Sequence, residues 1–283
     1  MKILLHFFIV VFCFIGKNSY SLSVKWKIDG LAKPESAIYD RLTDSIYVSN
    51  INGESLELDK NGFISKISIS GKIIEKYWIK GLDGPKGMAI FDNFLFVSDI
   101  NKIWKISLKD KKKNAFKIND AGFLNDLTVD RSGNIYASDM FKNQIYILKD
   151  KNILIWKKLL FSPNGLIIDK ENLIVAQWGS VTKNFETKTS GYLVKINLKT
   201  RDVKKFFSTR PIGNLDGIVF NKKDGFLVTD WVNGKLFSIN KLGIASLLKK
   251  LNKGSADLEI VMHKDLILVP QMLDNSLIAF SFN

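Results

Sequence analysis

The sequence predicts an all-β fold, a six-bladed β-propeller with four-stranded blades and a metal site at its centre. Six short segments recur along the 283 residues at separations of 51, 39, 39, 52 and 41, an interval typical of propeller blades. Each segment precedes an apolar stretch and then a second strand that ends in a small polar pair, as in Ser49-Asn50 and Ser98-Asp99. No convincing amphipathic helix interrupts this pattern.

The repeated segments and the strands between them follow in chain order. The segments are Pro34-Glu35-Ser36, Pro85-Lys86-Gly87, Leu124-Asn125-Asp126, Pro163-Asn164-Gly165, Leu215-Asp216-Gly217 and Ala256-Asp257-Leu258. The clearest predicted strands are residues 45–49, 63–68, 94–98, 103–108, 134–138, 144–148, 173–176, 192–197, 225–229, 235–239, 266–269 and 277–282. They are rich in β-branched and aromatic residues, and turns containing Gly, Asn and Asp separate them.

The first element of the chain is a predicted signal peptide at residues 1–21. Lys2 precedes an almost unbroken apolar run at residues 3–15, and small residues follow it. This order is typical of an export signal with a cleavage site, although a retained membrane anchor shares its apolar run. We expect cleavage, a secreted or periplasmic propeller of residues 22–283, and no membrane span after cleavage. The single cysteine, Cys13, would be lost with the signal, so no disulfide is expected.

Two separations exceed the others because residues 51–60 and 179–190 are inserted after a second strand. In a propeller this connection lies at one end of the channel, so both insertions are expected to form loops over the mouth where a substrate would enter. The last blade is expected to pair a strand near residues 24–28 with one at 277–282. Such closure removes the free edges that an open sheet would expose.

The charge of the chain is strongly positive, at a formal +14. A basic protein could bind nucleic acid, anionic lipid or an acidic polymer. The lysines are scattered over strand ends and turns, however, and the longest basic cluster is residues 109–113. We therefore expect a small-molecule substrate and no nucleic-acid partner.

Four of the repeated segments carry an oxygen ligand at the same position. Equivalent positions of different blades meet around the axis of a propeller. Two carboxylates would balance a dication and two amide oxygens would add neutral ligands, which suits Ca²⁺. Without its signal the chain has no cysteine and one histidine, which excludes a tight zinc site of nitrogen and sulfur ligands. Asn-Gly and Asp-Gly are also ordinary turn sequences, and that is the competing interpretation. The predicted metal ligands are Glu35, Asn125, Asn164 and Asp216.

The motifs around these ligands resemble the senescence marker protein/gluconolactonase family, the regucalcin-like group, over about residues 30–282. Its six-bladed propellers are similar to paraoxonases and diisopropyl fluorophosphatase. The resemblance implies that the four residues hold a catalytic divalent metal, usually calcium, at the channel centre. Each motif alone is common, but four in order, one per blade, are specific. They are Pro34-Glu35-Ser36, Leu124-Asn125-Asp126-Leu127, Ser162-Pro163-Asn164-Gly165-Leu166 and Leu215-Asp216-Gly217-Ile218.

The chain also departs from its relatives at substrate-contacting positions. Typical gluconolactonases have an arginine that contacts the sugar two residues before the ligand of the third blade, and this chain has Phe123 there. The substitution argues against a hydrophilic aldonolactone. Paraoxonases use a histidine pair as the proposed base, whereas His6 lies in the predicted signal and His263 stands alone. We expect His263 to be a surface residue.

The resemblance implies metal-assisted hydrolysis of a lactone or an ester, with Asp216 as the candidate general base. Lys86 occupies the ligand position of the second blade and could contact an anionic group or the oxyanion, or pair with an acidic neighbour. Phe123 and Trp178 are further candidate substrate contacts, and Trp231 follows the same pattern as Trp178. Other carboxylates at strand ends are alternative bases or bond the backbone of the turns, namely Asp99, Asp126, Asp139 and Asp230.

Two further interpretations stay open at this point. The chain could be a non-catalytic, calcium-stabilised propeller that binds a small ligand or a protein partner, because a fold does not imply a chemistry. The missing arginine and histidine pair favour this interpretation. A weaker alternative is a propeller without a metal, of the NHL or YWTD kind, whose stability would not depend on a cation.

Overall fold

The computed structural model describes residues 21–206 and 210–282. The predicted signal peptide therefore lies outside the described residues, except for Ser21. No helix in the described ranges is both long enough and apolar enough to cross a membrane.

Six antiparallel sheets follow one another along the chain, and each forms one blade. The first strand of the chain is β1 (Leu22–Ile28). Blade 1 contains β2 (Pro34–Asp40), β3 (Ser45–Asn50), β4 (Gly62–Ser68) and β5 (Ile73–Leu82). Blade 2 contains β6 (Pro85–Phe91), β7 (Phe94–Asp99), β8 (Lys102–Ser107) and β9 (Lys113–Lys117). Blade 3 contains β10 (Leu124–Val129), β11 (Ile135–Asp139), β12 (Gln144–Lys149) and β13 (Asn152–Lys158).

The second half of the ring repeats this order. Blade 4 contains β14 (Ser162–Asp169), β15 (Asn172–Val181), β16 (Thr187–Ser190), β17 (Leu193–Asn197) and β18 (Val203–Lys205). Blade 5 contains β19 (Leu215–Phe220), β20 (Phe226–Asp230), β21 (Lys235–Ile239) and β22 (Ala245–Lys250). Blade 6 contains β23 (Glu259–Val261), β24 (Leu266–Gln271) and β25 (Ser276–Phe282), with short 3-10 helices at Met262–Lys264 and Met272–Asp274.

The first strands of the blades form a closed inner ring. Each of β2, β6, β10, β14, β19 and β23 contacts the first strand of the next blade, and β23 contacts β2. Blade 6 takes β1 as its outer strand, in the order β1-β25-β24-β23. Leu22 pairs with Phe282 and Ile28 with Leu277. The predicted six-bladed propeller and its closing blade are confirmed.

Blade 4 differs from the predicted four strands. Residues after β15 turn back as the short strand β16, which pairs with β15 beside the main path of the sheet. The insertion at residues 179–190 therefore forms a hairpin, and its strand β16 gives blade 4 one strand more than the other blades.

Adjacent blades share their apolar side chains, because each sheet packs against the sheets on both sides. In β3, successive side chains point to opposite faces. Ile46 packs in a cluster with Leu268 of blade 6, and Tyr47 packs in a cluster with Leu95 of blade 2. The second strands are buried on both faces, so they appear in the sequence as continuous apolar runs.

Candidate metal centre

The first strand of five blades is irregular at the position of the repeated segment. In β2 the pairing with β3 shifts between Pro34 and Ala37, so Glu35 and Ser36 lie in a bulge. A bulge bends the strand and redirects its side chains. The same shift occurs in β6, β10, β14 and β19, at Lys86, Asn125, Asn164 and Asp216.

Hydroxyl groups at the ends of the second strands hold these bulges. The N–H of Ser36 donates to Ser49 Oγ at 2.9 Å, and the N–H of Asp126 donates to Ser138 Oγ at 2.9 Å. Blade 5 makes the equivalent bond. A bulge leaves a buried N–H without a ladder partner, and the hydroxyl satisfies it. In these three blades the hydroxyl residue near the end of the second strand therefore has a structural role beside the predicted ligand position.

The aspartates that follow these hydroxyls bond the loop before the ligand. Asp139 accepts hydrogen bonds from the N–H groups of Gly122 at 2.7 Å and Phe123 at 3.0 Å. Asp99 and Asp230 accept equivalent bonds in blades 2 and 5. These three carboxylates were considered either as alternative bases or as acceptors for the backbone of the turns, and the structure supports the second role.

Glycines that follow two of the predicted ligands allow the inner strands to approach closely. A Cβ atom on Gly165 would lie 2.1 Å from the carbonyl oxygen of Asp216, and one on Gly217 would lie 2.5 Å from Asp257 Oδ1. No side chain fits at these distances. The ring therefore brings the ligand positions of blades 4, 5 and 6 together.

The four predicted ligands are buried, and three of them carry an oxygen without a hydrogen-bond partner. These oxygens are Glu35 Oε2, Asn125 Oδ1 and Asn164 Oδ1. The amide nitrogens are already used, because Asn125 Nδ2 lies 3.1 Å from Met140 Sδ and Asn164 Nδ2 lies 3.2 Å from Asp216 Oδ1. Glu35, Asn125 and Asp216 line one cavity, and Asn164 is fully buried.

The charges of this group favour a bound cation. Burial, followed by the negative charges of Asp216 and Asp257, raises the pKa of Glu35 well above its usual value, and Lys86 only partly opposes this. Burial and then Asp257 raise the pKa of Asp216 in the same way. Oxygen donors of this kind, several of them unpaired, fit a hard cation such as Ca²⁺. Among the described residues no three His, Cys, Asp or Glu side chains form a metal-binding group, so the predicted set depends on its two amides.

Lys86 is a buried cation beside this group. Its Nζ donates to the carbonyl oxygens of Gly84 at 2.7 Å and Ser55 at 3.4 Å, and it lies 4.5 Å from the ring centre of Phe123. Burial lowers the pKa of Lys86 to about 8, although the charge of Glu35 acts in the opposite direction. The ammonium lines the same cavity as Glu35.

The cavity above these residues has a volume of about 730 Å³. Both inserted segments contribute to its wall, with Ile51, Ser55 and Leu56 from the first and Phe185 from the hairpin of blade 4. Trp178 also lines the cavity. The insertions therefore lie at the mouth, where the sequence placed them.

Two more acidic residues belong to the ring: Asp126, which the sequence offered as an alternative base, and Asp257, which was not predicted as part of the site. Asp257 is the repeated residue of blade 6, and its Oδ2 accepts a hydrogen bond from Ser36 Oγ at 2.6 Å. Burial raises the pKa of Asp257 to about 7. Asp126 accepts the N–H groups of Leu127 and Leu166, both at 2.6 Å. The sequence signal for Asp257 was the repeat itself, which places it at the position equivalent to the predicted ligands.

His263 is exposed and lies away from the metal centre. It follows the carboxyl end of β23, whereas the predicted ligands lie near the amino ends of the first strands. Its ring contacts that of Tyr39, with centres 5.5 Å apart. The prediction of a surface histidine is confirmed.

Comparison with known proteins identifies the fold but not a family. No family model matches the chain, and no curated protein matches its sequence. A gluconolactonase from Xanthomonas campestris has a similar structure, with a TM-score of 0.70, 15% identity, and coverage of 94% of this chain and 91% of that chain. Virginiamycin B lyase from Staphylococcus aureus has a TM-score of 0.64 and 12% identity, and the match covers 93% of this chain and 99% of that chain.

A third similar structure comes from a complex of nidogen and laminin. It has a TM-score of 0.64 and 16% identity, and the match covers 78% of this chain and 86% of that chain. The three structures include two enzymes of different reaction types and a protein complex, so the shared propeller does not decide the chemistry.

Proposed function

We propose that the chain is an exported, metal-dependent hydrolase that acts on a lactone or an ester. The observation that carries the proposal is the set of unpaired buried oxygens on Glu35, Asn125 and Asn164, beside Asp216. An unpaired buried polar atom costs about 1–3 kcal/mol. A site that keeps three of them together is suited to a ligand that satisfies all three. The likeness of the fold to a gluconolactonase and to a lyase supports an enzyme.

Glu35, Asn125, Asn164 and Asp216 would hold the cation. When bound, a divalent cation such as Ca²⁺ supplies Lewis-acid polarisation of the substrate carbonyl. The two carboxylates contribute the negative charge that balances a dication, and the two amides contribute oxygens without adding repulsion. The hydrogen bond between Asn164 and Asp216 fixes two of these side chains relative to each other.

Asp216 is the candidate general base. It lines the cavity, and the bond from Asn164 Nδ2 orients its carboxylate. In this role it would accept a proton from the attacking water. A carboxylate close to a dication is a weaker base, so we assign it a contribution near the lower end of the usual range, about 100-fold.

Lys86 is the candidate group for an anion or for the developing oxyanion. An ammonium has three donors, and two of those on Lys86 point to backbone carbonyl oxygens. Within the described residues no carboxylate lies close enough to Lys86 for an ion pair. Its charge therefore remains available to a substrate, and because the side chain is buried that charge acts more strongly than it would in water.

Hydrolysis is tested on residues 22–283 with a panel of lactones and aryl esters, with and without a chelator. We expect turnover that disappears with the chelator and in Glu35→Gln and Asp216→Asn. Glu259→Gln serves as the control, because Glu259 is also a carboxylate of an inner strand but lies outside the ligand set. Products are identified by mass and by absorbance, since hydrolysis of a lactone adds one water, whereas elimination opens the ring to an isomer of unchanged mass that carries a new double bond.

A non-catalytic binding propeller is the second candidate, and one observation favours it. The carboxylates of Asp99, Asp139 and Asp230 are bonded to backbone groups, and His263 lies away from the cavity. None of these four side chains is therefore a free base that faces the predicted ligands. A protein whose melting temperature rises with calcium but that turns over no member of the panel would support this candidate instead.

A further inference from the structure

One side of the cavity is an aromatic wall of Phe123, Phe185, Trp178 and Trp231, and Phe141 packs against this wall without lining the cavity itself. The ring of Phe123 stacks on that of Phe141, with centres 5.0 Å apart and planes at 23°. Phe185 packs edge-on against Phe123 at 5.3 Å and also contacts Phe141 at 5.3 Å. Trp178 and Trp231 form a second pair at 6.0 Å, and this pair belongs to the same apolar cluster as Phe123.

The opposite side of the cavity also carries apolar side chains, between polar ones such as Ser55 and Glu57. Ile51 and Leu56 come from the first insertion, and Met272 and Leu273 come from the 3-10 helix of blade 6. Several of these side chains are unusually exposed for their type, with 40% of Leu56, 49% of Leu273 and 41% of Phe185 accessible. Apolar side chains that face each other across a cavity favour an apolar occupant, because it removes them all from water.

Polar groups also line the cavity, and those of the predicted metal centre are buried. Glu35, Asp216 and Lys86 are buried at its floor. At its rim, Lys33 is paired with Glu54 at 3.0 Å. A substrate that placed its carbonyl at the floor would have the rest of its length along the aromatic wall.

The cavity is larger than a sugar lactone requires. At about 30 Å³ for each water-sized group, 730 Å³ holds about 24 such groups, whereas an aldonolactone has about 12 non-hydrogen atoms. Along the aromatic wall its hydroxyl groups would face the rings of Phe123, Phe185, Trp178 and Trp231, which offer no conventional hydrogen-bond acceptor.

We infer that the substrate is amphipathic, with a carbonyl head at the floor and an acyl or aryl arm of about ten or more non-hydrogen atoms along the aromatic wall. Phe185, on the hairpin of blade 4, is a specificity-determining residue for that arm. The identity of the head rests on the proposed function, but the binding of an apolar arm does not.

Carboxylates that cannot be hydrolysed test recognition of the apolar arm separately from the proposed hydrolysis. Hexanoate and gluconate each have a carboxylate and six carbons and differ in the hydroxyl groups of the arm. Calorimetric titration of residues 22–283 in the presence of calcium should show hexanoate binding at least tenfold more tightly than gluconate. Lengthening the arm from hexanoate to decanoate should tighten binding by up to about fourfold per methylene group.

Phe185→Ala should weaken decanoate binding by about tenfold and leave gluconate unchanged. Phe220→Ala is the matched control, since Phe220 is 38% exposed but ends β19 far from the cavity, and it should change neither. Leu273→Ser, on the opposite wall, should weaken decanoate binding as well. Folding of each variant is checked by its melting temperature.

Two results would overturn the inference. Gluconate binding as tightly as hexanoate would show that the arm is not recognised as apolar. Decanoate binding that is equal in the parent, Phe185→Ala and Leu273→Ser would place the ligand elsewhere. Neither result depends on turnover, so an absence of hydrolysis would remove the proposed function and leave the inference to be decided by binding.

Discussion

Asp216→Asn is expected to have opposite effects on stability without and with calcium. In the presence of a chelator the buried carboxylate of Asp216 is held near other carboxylates, and its raised pKa shows that its charge is unfavourable there. Replacing it by a neutral amide of nearly equal size should raise the melting temperature of the metal-free protein. The same change removes one of the two negative charges that balance a dication, so calcium should bind poorly.

The size of the calcium effect can be worked out for the parent protein. At a free calcium concentration 100-fold above Kd, binding stabilises the folded state by about 2.7 kcal/mol. For a domain of this size such a gain raises Tm by about 5–11 °C. We expect a rise of this size in the parent and less than about 2 °C in Asp216→Asn, measured by calorimetry with and without chelator.

Asp230→Asn provides the matched control, because it makes the same substitution at a buried site in the same blade. Asp230 is 0% and Asp216 4% exposed. The carboxylate of Asp230 accepts hydrogen bonds from the N–H groups of Asn214 and Asn233, so its replacement should lower Tm equally with and without calcium. A calcium-dependent rise in Asp216→Asn as large as that of the parent would refute the assigned ligand set. So would a parent protein that does not respond to any divalent cation.

Three more outcomes follow from the structure. Gly165→Ala should lower the free energy of unfolding in urea by about 3 kcal/mol or more, because its Cβ would lie 2.1 Å from a carbonyl oxygen. Gly84→Ala should cost less, because the nearest atom would lie 3.3 Å from its Cβ. Burial raises the pKa of Glu259 from 4.5 to about 7, so the folded state loses stability as pH rises from 4.5 to 7. The loss is at most about 3 kcal/mol, and it is smaller than that because the side chain is partly exposed. Glu259→Gln should remove this loss, which is measured by melting curves at pH 5 and pH 8. Deletion of β1 (Leu22–Ile28) should leave blade 6 with an open edge and give a protein that aggregates or unfolds at least 10 °C earlier, seen by size-exclusion chromatography and circular dichroism.

The sequence predicted the ring and its ligand positions because both follow from local repetition. Five of the six repeated segments carry a bulge, and in blades 1, 3 and 5 the second strand carries the hydroxyl that holds it, so one local motif encodes both in these blades. Asn164 and Asp216 could be placed near each other only because they occupy equivalent positions in blades 4 and 5. The hydrogen bond between them confirms that they are close, whereas their binding of a metal stays a prediction.

The walls of the cavity could not be predicted in the same detail. Phe141 and Phe185 come from connections of different blades, and no repeat relates them, so their contacts with Phe123 depend on how the hairpin after β15 turns. The repeat predicted that Lys86 lies at the ligand position of blade 2. Its bonds to the carbonyl oxygens of Gly84 and Ser55, however, depend on the shape of the first insertion. Contacts between non-repeating loops are set by three-dimensional packing rather than by local pattern.

The pairing of Leu22 with Phe282 has a consequence for how the chain could be reconnected. These two residues are neighbours in one sheet, so a short linker between them would tolerate circular permutation, with new ends opened between β1 and β2. In the permuted order β1 would follow β25, and all six blades would be built from contiguous chain. The ring would then be closed only by contacts between blades, and its opening could be measured separately from the unfolding of any single blade.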